Sequence, residues 1–95
     1  MLFAVHALDR SDIAARRREA FEAFRDYLAQ SRSLGTTVVM AGPLLDDSGA
    51  NFIGGLFLID ARDRAAAEAF VYGSPYQTQG IWETVHIHSY RRMYG

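Results

Sequence analysis

Thr36-Thr37-Val38-Val39-Met40-Ala41-Gly42-Pro43 and, beyond a polar turn, Phe52-Ile53-Gly54-Gly55-Leu56-Phe57-Leu58-Ile59 place two strands in direct succession at the middle of the chain. The first is β-branched and is expected to end at Gly42-Pro43, because proline cannot donate to a continuing ladder. Asp46-Asp47-Ser48-Gly49 is turn chemistry, so the second run returns as the other arm of a hairpin. On the N-terminal side, Leu2 to Leu8 is apolar on both parities, the pattern of a strand covered on both faces. Asp9-Arg10-Ser11-Asp12 supplies turn and N-cap residues for a helix rich in Ala, Glu and Arg that runs to Leu34, with Gly35 as its left-handed cap. At about 100° per residue, Ile13, Ala20, Phe21, Phe24, Tyr27 and Leu28 share one face of that helix.

On the C-terminal side, Asp60 to Asp63 cap a second helix through Tyr72, with Ala65, Ala66, Phe70 and Val71 as its buried positions. Gly73-Ser74-Pro75-Tyr76 breaks it. Ile81 to Tyr90 then alternates Val85 and Ile87 with Thr84, His86 and His88, a strand pattern. The order β-α-β-β-α-β defines an α+β, ferredoxin-like antiparallel sheet with both helices on one face, in a single domain over residues 1–95. Its other face needs cover, which points to a homodimer.

Composition narrows the function. The 95 residues hold ten Lys+Arg, all arginine, against eleven Asp+Glu, so no basic excess exists to bind nucleic acid. The longest apolar stretch, Phe52 to Ile59, is far below the roughly 20 residues of a membrane span. Met1-Leu2-Phe3-Ala4-Val5 lacks the basic flank and long apolar core of a signal peptide, and the absence of cysteine is compatible with the cytoplasm, the expected compartment.

From Asp9 through the first helix to Gly35, then Ala41-Gly42-Pro43, Phe52-Ile53-Gly54, Ser74-Pro75-Tyr76, Gly80 and the closing strand, the chain resembles the YCII-related (YciI-like) family along essentially its whole length. That resemblance implies a dimeric α+β barrel of two ferredoxin-like halves. In some members it also implies a histidine–aspartate acid/base pair, used among other reactions in dehydrochlorination of an aromatic ring. A carboxylate orients an imidazole and raises its basicity near neutral pH. Here the histidine position, eleven residues before Gly35, is Phe24, and the aspartate position before Pro75-Tyr76 is Ser74. The family's acid/base chemistry cannot run on these two residues. The closing Pro-Phe of the family is Ser89-Tyr90 here, which keeps the aromatic.

The candidate ligand-binding residues are therefore Phe24, Ser74, Tyr76 and Arg17. Phe24 is either plain core or the wall of a pocket made more apolar by the missing histidine, and Tyr76 either packs its ring or offers a phenol. Arg17 stands two turns before Phe24 on the same face, where an unpaired charge is costly. Either the helix begins after it and its guanidinium is in water, or it clamps a ligand carboxylate or phosphate at the pocket mouth. His6, His86 and His88 become neighbours if their strands pair, and His6 is a candidate replacement base. No motif supports a metal site, and no cofactor is implied. The expected function is a dimeric binding or accessory protein for a small organic ligand. The alternative is a lyase or isomerase acting on a small acid through His6 or Tyr76.

Overall fold

The computed structural model describes residues 1–95 as β1 (Leu2–Asp9), α1 (Ala14–Ala29), β2 (Thr36–Leu45), β3 (Phe52–Ala61), α2 (Arg64–Tyr72), α3 (Pro75–Thr78) and β4 (Trp82–Tyr90). The four strands form one sheet in the order β2-β3-β1-β4, every neighbouring pair antiparallel. This is the expected βαββαβ arrangement. Phe3, Val5 and Ala7 of β1, Phe57, Ile59 and Ala61 of β3 and Ile87 of β4 are buried beneath Ala20 and Phe24 of α1 and Ala67, Phe70 and Val71 of α2. No helix is long and apolar enough to cross a membrane.

Several boundaries move, each for a physical reason. β2 continues through Gly42-Pro43 to Leu45. It is an edge strand, where one side of the backbone is unpaired and proline is tolerated. No side chain from Asp9 to Asp12 caps α1; Asp12 adopts a left-handed φ of 58°, and Ile13 takes the N-cap position. The regular helix stops at Ala29, and a 3-10 turn, Ser31–Leu34, carries the chain to Gly35 at φ 81°. The Asp63 carboxylate does cap α2, accepting from the Ala66 N–H at 2.8 Å. That start sets the helix phase so that Ala67, not Ala65, joins Phe70 and Val71 inside.

The sheet's second face is open. Leu8, Met40 and Leu56 are exposed on it, Met40 by 62%, together with His6, His86 and His88. Strand β1 is thus covered on one face only by its own chain.

Candidate functional site

One stripe of α1 builds the wall of a cleft. Arg17, Phe21, Phe24 and Leu28 follow one another at spacings of four and three, so they stack along the side of the helix facing the β2–β3 end of the sheet. Ala41, Gly42 and Pro43 of β2 and Phe52, Gly55 and Phe57 of β3 form the opposite wall, and Tyr76 closes the inner end. The cleft holds about 260 Å³. Gly55 leaves room for the Phe57 ring at the floor, since a Cβ there would lie 2.8 Å from the end of that ring and displace it. Gly54 serves another contact. A Cβ there would collide with the Ala7 carbonyl oxygen, so this glycine permits the close approach of β1 and β3 rather than of a helix or ligand.

Aromatic rings dominate the inner end. Phe24 and Tyr76 are parallel, with centroids 4.0 Å apart and planes 6° apart. Trp82 meets both edge-on at 6.0 Å, and Phe57 lies 5.7 Å from Phe24. Offset and edge-to-face pairs of this kind contribute about 0.5–1.5 kcal/mol each beyond area burial. Both readings of Phe24 hold together: it is 7% exposed and it lines the cleft.

Arg17 answers neither sequence expectation alone. It lies within α1, so the reading that placed it before the helix and in water is overturned. Its Nη1 donates to Asp9 Oδ2 at 2.6 Å, with the two side chains only 11% and 5% exposed, and its Nη2 donates to the Gly54 carbonyl at 3.3 Å. The guanidinium carbon is 4.7 Å from the Tyr76 centroid and 5.5 Å from that of Phe52. A buried cation is thus satisfied by one carboxylate, one carbonyl and two ring faces. Asp9 Oδ1 and Trp82 Nε1 are buried without a hydrogen-bond partner. Burial pushes the Tyr76 phenol above its ordinary range, with the Arg17 cation opposing and the Asp9 carboxylate adding, so the phenol is a neutral hydroxyl at neutral pH.

The remaining candidates separate. Ser74 is 2% exposed and its Oγ donates to the Val71 carbonyl at 2.8 Å. It lies outside the cleft and shares with Phe24 a void of only about 10 Å³. His6 sits on the open face, opposite His86 in the β1–β4 register, and the sheet separates it from the cleft. The His86 and His88 rings are parallel at 6.3 Å, and nowhere do three or more His, Asp or Glu side chains form a group able to hold a metal. Sequence reasoning missed Asp9, Arg18, Phe52 and Arg25 as parts of this site. For Asp9 a signal existed, because an arginine on an apolar helix face needs a nearby acid.

Fold and cleft together define a ferredoxin-like α+β protein with an aromatic-walled site between its first helix and its sheet. The chain belongs to the YCII-related domain family, whose profile matches residues 1–91. Among solved structures, it is similar to 5-chloro-2-hydroxyhydroquinone dehydrochlorinase (TftG) from Burkholderia phenoliruptrix AC1100, in complex with 2,5-dihydroxybenzoquinone. The TM-score is 0.85 at 18% identity, over 98% of this chain and 96% of that one. It is similar also to At3g17210 from Arabidopsis thaliana, with a TM-score of 0.53 at 10% identity over 99% and 96% of the two chains. At these identities the likeness is one of fold. Comparison with curated protein sequences finds no match.

Proposed function

We propose that this protein binds a small, single-ring organic molecule in the cleft between α1 and the sheet, as a homodimeric binding or accessory protein without the histidine–aspartate acid/base pair. The observation that carries the reading is the Phe24–Tyr76 stack: a hydrophobic surface of flat rings occupies the position at which the family resemblance puts a base. The cleft volume suits one ring, at the small end of ligand sites. The fold relative TftG is described in complex with 2,5-dihydroxybenzoquinone, a molecule of that size and shape. With His6 on the far side of the sheet, an enzymatic role would fall to the Tyr76 phenol as a proton donor.

The dimer belongs to the same proposal. Leu8, Met40 and Leu56 are exposed on one sheet face, and a second copy packing its own open face against them would remove that apolar surface from water. Light scattering on a sizing column is expected to give about twice 10.6 kDa; a stable monomer would refute this arrangement.

Binding is tested by titrating the protein with 2,5-dihydroxybenzoquinone and following the indole N–H resonance of Trp82, the single tryptophan, which lies beside Phe24 and Tyr76. Saturable movement is expected. In Ala41→Trp, which fills the cleft mouth from an exposed edge-strand position, the movement should vanish while the melting temperature holds. An unchanged titration in that variant would place the ligand elsewhere.

A further inference from the structure

We propose that the ring bound in this cleft carries an anionic substituent, and that Arg18 and Arg25 at the mouth, not Arg17, recognise its charge. The inference rests on the cleft being a binding site. Three arginines line it and no aspartate or glutamate does. Arg17 is already committed, because its Nη1 meets Asp9 and its Nη2 the Gly54 carbonyl. Swinging it toward a ligand would leave a carboxylate, 5% exposed and with Oδ1 already unpartnered, without any counter-charge. The Asp9–Arg17 pair is therefore an electrically neutral part of the wall.

Arg18 is the opposite case. No carboxylate lies within 4 Å of it, and its side chain makes no hydrogen bond. Arg25 has only Asp26, its neighbour in sequence, at 3.8 Å, with both side chains more than 60% exposed, a pairing that stabilises little. Its guanidinium carbon stands 5.8 Å from the Phe21 centroid. Arg18, Phe21 and Arg25 fall at spacings of three and four, on one stripe of α1, so two uncommitted cations flank a ring at the rim. A ring seated among Phe24, Phe57 and Tyr76 would present its substituent to them. Guanidinium is weakly hydrated and forks onto carboxylates and other oxyanions, so the apolar floor selects the ring and the rim selects the charge.

Benzoate and benzamide separate these two contributions, being nearly isosteric and differing in charge. Each is titrated into the full-length protein at low salt, with the Trp82 indole resonance and the backbone amides of Gly42 and Gly55 as cleft reporters. Benzoate is expected to bind about tenfold more tightly than benzamide. In the double variant Arg18→Gln, Arg25→Gln, with its fold checked by the same spectrum, benzoate should weaken to the benzamide level while benzamide stays within about twofold. Equal binding of both by the wild type, with the cleft reporters moving, would overturn the charge inference and leave the cleft reading intact. A benzoate preference that survives the double variant would overturn the assignment to Arg18 and Arg25. Cleft reporters that move for neither compound would refute the cleft reading itself.

Discussion

The two faces of one sheet are built from alternate residues of the same strands, and they differ in chemistry. On β1, Phe3, Val5, Ala7 and Asp9 point toward the helices, and Leu2, Ala4, His6 and Leu8 point away. The covered face combines a packed core with an aromatic cleft, and its one strong charge pair is buried and internally matched. The open face carries imidazoles and exposed aliphatic side chains with no partner in the chain. The proposed ligand site draws on the first face, and the proposed self-association draws on the second. Perturbations confined to one face should therefore leave the other's property unchanged.

The largest effect is expected at Asp9. Asp9→Ala leaves Arg17 buried without its carboxylate, a loss of about 3–5 kcal/mol by the behaviour of broken buried pairs. Urea unfolding at fixed protein concentration measures it. Pairing Asp9→Ala with Arg17→Met should recover most of that loss, because the stranded cation is removed too. A single-variant cost below about 1 kcal/mol would mean that water reaches the pair and that the covered face is not dry.

Next comes Leu56→Asp on the open face, opposite His6 in the β1–β3 register. A charge there is solvated in the separate chain and buried in the proposed dimer, so association should weaken at least about tenfold. Sizing-column light scattering across a dilution series reads this. Benzoate affinity should stay the same. Coupled losses would show that the cleft depends on the second copy.

A smaller effect is expected at alkaline pH. Burial raises the Tyr76 phenol above its ordinary value, so the folded state holds its proton where the unfolded chain has released it. The contribution is fully present below the unfolded value near 10 and declines as pH rises toward the folded value. Tyr27, also raised by burial, acts in the same sense. Stability measured between about pH 9 and 11 should fall less steeply in Tyr76→Phe than in the wild type. Identical slopes would mean that the phenol is open to solvent.

The fold was legible because its signals are local: a hairpin with a polar turn, a helix with an apolar stripe, an apolar opening strand and a closing strand of alternating pattern. Pro43 misled because whether proline ends a strand depends on that strand's place in the sheet, which no local window contains. The candidate site was legible where the α1 stripe announced it, at Arg17 and Phe24, and where the family resemblance pointed to it, at Tyr76. Asp9 was hidden because Asp9-Arg10-Ser11-Asp12 has the composition of a turn, and its pairing with Arg17 exists only once β1 and α1 pack. Phe52 is 58% exposed at the start of β3, so no burial pattern marks it as a cleft wall. Ser74 entered by resemblance alone, and it lies behind Phe24 with its hydroxyl bonded to the Val71 carbonyl.

The smallest expected effect tests the assignment of histidine to the open face. His6 lies opposite Leu56 on one side and His86 on the other, and the sheet stands between it and Tyr76. If the imidazole only packs against these neighbours and a second copy, His6→Gln removes modest contacts and should lower the melting temperature by a few degrees, in line with about 0.5–1 kcal/mol in a domain of this length. Benzoate affinity, read at Trp82, should remain within about twofold. A base acting on a cleft ligand would behave in reverse, because glutamine keeps the approximate size of the imidazole but cannot accept a proton near neutral pH. Thermal melts and ligand titration on one preparation of His6→Gln therefore distinguish the two roles. A variant that melts like the wild type and binds benzoate normally, yet loses a turnover that the wild type shows, would mean that the two faces work together and that His6 serves catalysis across the sheet.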